Sequence, residues 1–403
     1  LAGMKLAQLR KQYPAFFYKG YSYKLQEGDL HISFDFSCPA SPAGGPPDIR
    51  FHPKVVIKNV GPSTPLDNLV FHLGMMELPS YWKATCSPQI IVEAGNLNAA
   101  QIAWWKNLFM QGLGEFFYKN KIDFTKPAFL TIISSTPNPN PGLGIPNPGL
   151  GNIQLKERVL VPVGGGKDSS VTLELLKKSY MEQRPFLLNS RKPQLALITK
   201  AKAKAPIVAL RTIDPRLLEL NRKGYLNGHT PFSAYLAFLS VFVAVLFDYK
   251  YIALSNERSS NEGNIKYLGK TINHQYSKSF EFEKKFREYT KKYLAKDMEY
   301  FSFLRPLYEL QIAEIFSKFP KYFPVFLSCN EAYKTYSGKK KQSGTWCGKC
   351  PKCLFVYIIL SPFVTQKTLE KIFGKNLLRD RSLKPLMNQL TGRRGFKPFE
   401  CVG

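Results

Sequence analysis

Apolar and polar positions along this chain follow two periods, and the change from one to the other divides it. His31-Ile-Ser-Phe-Asp-Phe alternates residue by residue, as a half-buried strand does, and Lys54-Val-Val-Ile-Lys has the same character. From Asn98 to Asn120 the apolar residues Ile102, Trp105, Leu108, Phe109, Leu113 and Phe116 recur at three- and four-residue steps, which predicts a helix with one buried face. Trp104-Trp105 could stack bases, but aromatics at helical spacing read first as packed core. Beyond Glu157 the pattern changes to short unbroken apolar runs, Phe186-Leu-Leu, Ile207-Val-Ala-Leu and Tyr251-Ile-Ala-Leu, separated by helical stretches. Such runs are strands buried on both faces of a parallel sheet. Thr230-Pro231 predicts a helix start, a hydroxyl N-cap followed by proline in the first helical position. Phe282, Phe286, Tyr289 and Tyr293 mark one face of a later helix, whose Glu281/Lys285, Glu283/Arg287 and Glu288/Lys292 pairs read as a solvated face.

Thr136 to Asn152 follows neither period, and Asn-Pro-Gly-Leu-Gly occurs there at Asn140 and again at Asn147. Proline removes backbone donors and glycine adds unfolded-state entropy, so an exposed linker is expected. The expected organisation is an N-terminal α+β domain over 1–135, a Pro/Gly-rich linker over 136–156, and an α/β domain over 157–403. The longest uncharged run, Pro231 to Phe247, has 17 residues and includes Ser233, Tyr235 and Ser240; it reads as a buried helix, with no membrane insertion.

With 57 Lys+Arg against 29 Asp+Glu, the 403 residues carry a net charge of +28, which favours anionic partners such as nucleotides, phosphorylated metabolites or RNA. The excess is mostly lysine and is spread along the chain, so it discriminates little among them. No charged-then-apolar signal segment opens the sequence, and a cytoplasmic location is the expectation. The first residue, Leu1, suits either a fragment or an unusual start codon translated literally.

The stretch richest in chemistry runs from Arg158 to Leu176, a β-branched run followed by Gly164-Gly165-Gly166-Lys167-Asp168-Ser169 and then an apolar-periodic helix. Glycines let backbone N–H groups close around phosphate, and the helix N-terminus adds partial positive charge. A Walker A loop would need Ser or Thr after Lys167, and the dinucleotide fingerprint a third glycine at Ser169. The segment resembles instead the PP-loop of ATP pyrophosphatases, Ser-Gly-Gly-x-Asp-Ser, at five of six places, with Gly164 standing for the usual serine. That resemblance implies cleavage of ATP between the α and β phosphates, with AMP transferred to a substrate oxygen. The plain alternative, a glycine-rich turn with no ligand, is disfavoured by the strand–loop–helix context.

Cys329, Cys347, Cys350 and Cys353 form C-x17-C-x2-C-x2-C, with Gly348 and Pro351 shaping the knuckles. Three thiolates converge on one point and Cys329 can close a tetrahedron, which suits structural Zn²⁺; a cubane iron–sulfur cluster also accepts the spacing. Cys38, Cys86 and Cys401 are isolated and read as small apolar residues.

A PP-loop followed by a distant cysteine cluster is shared with 7-cyano-7-deazaguanine synthases and some tRNA-modifying enzymes, but the intervening stretches narrow the field. Gly112-Leu-Gly-Glu-Phe-Phe-Tyr-Lys-Asn, Val161-Pro-Val-Gly-Gly-Gly-Lys-Asp-Ser, Leu226-Asn-Gly-His, Ser255-Asn-Glu-Arg-Ser, Asn273-His-Gln-Tyr-Ser-Lys, Phe303-Leu-Arg-Pro-Leu and Trp346-Cys-Gly-Lys-Cys-Pro-Lys-Cys together resemble the MurL family. Those enzymes are UDP-N-acetyl-α-D-muramoyl-L-alanyl-L-glutamate epimerases of peptidoglycan synthesis.

The resemblance implies a PP-loop (HUP-type) doubly wound parallel sheet, with the four-cysteine knuckle towards its C-terminal end, and a UDP-sugar-peptide substrate. It also implies adenylation of the glutamyl carboxyl. As a mixed anhydride that carboxyl can delocalise charge as an enolate, so the α-proton can leave and return on the opposite face.

Gly164, Gly165, Gly166 and Ser169 are then expected to cradle phosphate, Lys167 to neutralise it, and Asp168 to help hold Mg²⁺. Asn227, His229, Glu257, Arg258, His274, Lys278 and Arg305 are candidates for binding the UDP-peptide, with His229 and His274 also candidates for moving the proton. Each lone histidine has the alternative role of a hydrogen-bonded structural residue. Two rival functions stand beside this one. A PP-loop enzyme that amidates or thiolates RNA or a nucleobase would suit the +28 charge, and a non-catalytic nucleotide-binding module would need only the loop and the knuckle.

Overall fold

The computed structural model describes residues 6–403 apart from 42–46, 62–65, 135–153, 180, 334, 337–338 and 341–343. Most of the expected linker therefore lies outside the described residues.

Eleven strands join in one sheet. They are β1 (Ala15–Gln26), β2 (Asp29–Cys38), β3 (Ile49–Phe51), β4 (Lys54–Ile57), β5 (Gln89–Val92), β6 (Thr131–Ser134), β7 (Val159–Pro162), β8 (Gln183–Leu188), β9 (Ile207–Thr212), β10 (Tyr251–Leu254) and, after a small hairpin of β11 (Ile265–Tyr267) and β12 (Lys270–Ile272), β13 (Glu299–Ser302). The order is β13-β10-β7-β8-β9-β4-β2-β1-β5-β6, with β3 beside β2. The first five pair in parallel. Beyond them β4 pairs antiparallel with β9, aligning Val56 with Leu210, so the sheet runs on without a break into the first third of the chain.

Unbroken apolar runs form the parallel strands because both faces of this sheet are covered. Leu160 of β7 faces one core with Ile252 and Phe186, while its neighbours Val159 and Val161 face a second core with Ala253 and Leu187. The uncharged run forms the helix Phe232–Leu246 in the first core. The helices Lys167–Leu176 and Lys192–Ala201 lie in the second. Helices on both faces make the sheet doubly wound. Counted along the chain, its parallel strands lie in the order 3-2-1-4-5, so the order reverses between β7 and β10. Open sheets of this kind bind ligands outside the carboxyl ends of the strands at such a reversal. No helix among the described residues is long and apolar enough to cross a membrane.

Three local expectations change. The helix expected over 98–120 is two, Ala99–Gly112 and Gly114–Lys119. Gly114 lets the second pass against Ile272, whose side chain would lie 3.2 Å from an added Cβ, and this second helix carries Glu115. Thr230 does not cap the helix after it, because its Oγ1 accepts from Lys83 Nζ at 2.7 Å and the helix begins at Phe232. Glu283 is buried and pairs with Arg305 at 3.0 Å rather than with Arg287 on a solvated face.

Candidate active site

The glycine-rich loop leaves β7 at the point where the strand order reverses. Gly165 has φ of 93°, a left-handed conformation that favours glycine, and Gly166 is the extended N-cap of the helix Lys167–Leu176. Ser169 Oγ accepts from Gly165 N and donates to Gly166 O, both at 3.2 Å, which closes the loop on itself. Its back is pinned by residues just before Cys329. Leu327 N donates to Gly165 O at 2.8 Å, and a Cβ on Gly166 would come within 3.0 Å of Ser328 Cβ.

Lys167 is 1 % exposed, and its ammonium contacts both Asp168 and Glu309. Burial disfavours its cation, but the two carboxylates outweigh that and raise its pKa. Burial also opposes ionisation of Asp168, but Lys167 and Lys352 overcome it and the pKa falls. In Glu309 burial prevails and the pKa rises. Of the two carboxylates, Asp168 is the one whose ionisation the surroundings favour. Glu309 had no role in the sequence reading; its only signal is an acid in the first turn of the helix Glu309–Ser317, a short step after β13.

A second cluster stands beside the first. His274 Nδ1 is 2.5 Å from Glu115 Oε2, and His229 Nδ1 is 3.6 Å from the same oxygen. The two imidazoles lie 4.4 Å apart between centroids. Burial works against the His274 cation, yet hydrogen bonds with Cys401 and Glu115 raise its pKa to about 9. Burial and the neighbouring His274 charge take His229 down to about 3. Burial would raise Glu115, but His274 brings it to about 2. One imidazole is therefore charged and the other neutral at pH 7. Lys278 Nζ lies 3.0 Å from Cys401 Sγ, and the charges of Cys401, Glu257 and Asp168 act together on its ammonium, linking the two clusters.

The remaining expected residues divide. Glu257 is buried and contributes charge near Lys278. Arg305 is a clamp inside the protein: its guanidinium donates to Glu257 O at 2.7 Å, Lys278 O at 2.5 Å and Glu283 at 3.0 Å, so it braces the loops that carry Glu257 and Lys278. Arg258 is exposed and lies over the Tyr308 ring at 4.8 Å. Asn227 is exposed, and its Oδ1 accepts from Gly228 N at 2.8 Å. Cys38 and Cys86 are buried thiols pushed up to about 11 and about 12 by burial, as inert apolar residues should be. Cys401 departs from that expectation, since its sulfur faces Lys278 and His274.

The four remaining cysteines converge so that their sulfurs all lie within 4.8 Å of one another, an arrangement that can hold a metal ion. Cys350 is the N-cap of the helix Pro351–Leu360, so the knuckle fixes where that helix starts. From the helix Lys352 Nζ donates to Cys401 O, and Lys352 N donates to Glu400 Oε2 at 3.1 Å. Residues 327–328 pack on the glycine loop, so the knuckle braces both the loop and the segment around Cys401.

The chain is similar to known proteins along most of its length. The MurL N-terminal domain model matches residues 7–303 and the MurL C-terminal domain model residues 325–403. Proteins named UDP-N-acetyl-alpha-D-muramoyl-L-alanyl-L-glutamate epimerase are similar from Micromonospora sp., at 35 % identity over 98 % of this chain and 85 % of the relative, and from Salinispora tropica, at 34 % over 98 % and 83 %. The protein of that name from Xanthomonas oryzae pv. oryzae is 35 % identical over 80 % of this chain and 69 % of its own length. Two family models that between them cover nearly the whole chain, and relatives matched along most of their own length, place this chain in the MurL family.

Proposed function

We propose that this chain inverts the terminal L-glutamate of UDP-N-acetylmuramoyl-L-alanyl-L-glutamate to D-glutamate in peptidoglycan synthesis, by way of an acyl adenylate formed from ATP with release of pyrophosphate. The observation that carries the reading is the position of the Gly164–Ser169 loop at the reversal of strand order, opposite the segment that follows β10. A PP-loop fold of the HUP type has this layout, and the glycines and the N-terminus of the helix Lys167–Leu176 offer backbone donors to phosphate.

Asp168 and Glu309 are oxygen donors on either side of Lys167, the ligand type that Mg²⁺ prefers. Bound there, Mg²⁺ would draw charge off the phosphates. Lys167 would hold the phosphate end as a point cation, and the loop braced by Arg305 would carry Glu257 and Lys278 towards the substrate. Activation of the glutamyl carboxyl as a mixed anhydride removes the full negative charge that would otherwise face the carbanion. Hydrolysis of the anhydride then releases AMP and makes the inversion effectively one-way.

The knuckle suits Zn²⁺ better than an iron–sulfur cluster. Three of its six Sγ–Sγ separations, at 3.5, 3.7 and 3.9 Å, are close to the edge of a tetrahedron around one ion, and all six lie within 4.8 Å; that edge is about 3.8 Å for Zn–S bonds of about 2.3 Å. In a cubane each thiolate binds a different iron, which spreads the sulfurs farther apart.

Incubation of the protein with ATP and the UDP-sugar dipeptide is expected to yield AMP, pyrophosphate and, after acid hydrolysis, D-glutamate by chiral chromatography. ADP as the product, or glutamate that stays L, would reject the proposal.

A further inference from the structure

Cys401 belongs to no spacing motif, yet residues 397–403 are threaded into the site by contacts from several elements. Asn264 Nδ2 donates to the carbonyls of Lys397 at 3.2 Å and Pro398 at 2.8 Å. Gln275 Nε2 donates to Val402 O at 3.4 Å, and Lys352 Nζ to Cys401 O. The sulfur is thereby held 3.0 Å from Lys278 Nζ and in a hydrogen bond with His274, whose Nδ1 already engages Glu115. His274 thus links the Glu115 carboxylate to the sulfur, with Lys278 as a second cation on the sulfur. Two residues further on, at Gly403, lies an unused donor. Ser259 Oγ is on a residue 4 % exposed, has no hydrogen-bond partner among the described residues, and would lie 3.1 Å from a Cβ on Gly403, at the side of Glu309. A buried hydroxyl left unpaired costs free energy unless a ligand satisfies it.

We propose that Cys401 is the base that removes the α-proton of the activated L-glutamyl residue, with His274 and Lys278 positioning its sulfur as thiolate. The inference rests on the acyl-adenylate reading above. In the step, the Cα–H bond breaks and an S–H bond forms. The electron pair left on Cα delocalises into the carbonyl of the mixed anhydride as an enolate. Negative charge passes from sulfur to enolate, so the balance against Lys278 and His274 is kept throughout. A protonated side chain or water on the opposite face then returns a proton to Cα.

The electrostatics agree with a thiolate. Burial would raise the Cys401 thiol, but the Lys278 cation, the hydrogen bond and charge of His274, and the charge of Lys352 bring it down to about 5. Cys38 and Cys86, which have no such cations, move the other way.

Cys401→Ser keeps the shape of the side chain and removes its ability to ionise. In D₂O with ATP and the UDP-sugar dipeptide, the wild-type protein is expected to form AMP and to place deuterium at the glutamyl Cα. The variant should keep substrate-dependent pyrophosphate–ATP exchange within about threefold, while Cα deuteration falls by about 10²–10⁴-fold. Deuteration at the wild-type rate overturns the proposal, and so does a parallel loss of exchange and deuteration. A wild-type protein that forms no AMP removes the adenylate reading itself, a failure visible without any variant. Alkylation of the full wild-type chain by iodoacetamide, mapped by mass spectrometry, gives a second measurement that needs no substitution. Labelling of Cys401 should be half-maximal near pH 5; a rise only at about pH 8.5, as for an ordinary thiol, contradicts the assignment.

Discussion

Asp168→Asn is expected to suppress AMP formation by on the order of 10³-fold or more in kcat, with little loss of stability. The substitution keeps the volume and removes the one carboxylate at the loop that ionises readily, since Lys167 and Lys352 hold its pKa down while Glu309 is raised. On the proposed reading that charge holds Mg²⁺, and without it neither the ion nor the pyrophosphate leaving group would be kept in place. The fold should survive because Lys167 keeps its contact with Glu309. Its cost is therefore below the about 3–5 kcal/mol of stripping a buried ammonium of every partner. Thermal melting and AMP release measured on the same sample separate the two effects. A variant with unimpaired AMP release would remove Asp168 from the chemistry, and one that fails to fold would make it structural.

Loss of the metal knuckle should act in the opposite way, through stability first. Cys347 is the partly exposed member of the four, so Cys347→Ser disturbs packing least and reports mainly on metal retention. Structural zinc contributes about 10–16 kcal/mol in small peptides. If half of the lower figure applies here, Tm should fall by about 10 °C or more at ~2 °C per kcal/mol. Bound zinc, read by elemental analysis, should fall from one per chain towards zero. Activity should fall as well, because the knuckle sets the helix that carries Lys352 and the chain segment packed on Gly165 and Gly166. Unchanged Tm and unchanged zinc would show that the four thiols do not share one ion.

The features legible in the sequence were those with a local signature. The loop from Gly164 to Ser169 combines a strand, glycines and a helix within one short stretch, and the cysteine cluster has three of its members within seven residues, so both could be read without a fold. The parallel strands were readable because burial on both faces leaves an unbroken apolar run. Residues that complete the site were not. Lys167 and Glu309 are 142 positions apart, His274 and Glu115 159, and Lys278 and Cys401 123. A single acid or thiol with no periodic neighbour gives no pattern to read. Arg305 shows the converse. Its neighbourhood, Phe303-Leu-Arg-Pro-Leu, is distinctive, yet its guanidinium is engaged by Glu257, Lys278 and Glu283 within the protein. Likewise nothing in Lys54-Val-Val-Ile shows that this strand would pair with β9 and carry the sheet across to the other half of the chain.

The claim on which the account turns is that a substrate carboxyl becomes bonded to the inner phosphorus of ATP at the Gly164–Ser169 loop. UDP-sugar dipeptide labelled with ¹⁸O in the glutamyl α-carboxylate tests it in one turnover experiment read by mass spectrometry. Hydrolysis of a mixed anhydride at its carbonyl carbon should leave one ¹⁸O in AMP for each D-glutamyl product formed. AMP without label while D-product accumulates, or label found in orthophosphate alongside ADP, would contradict it.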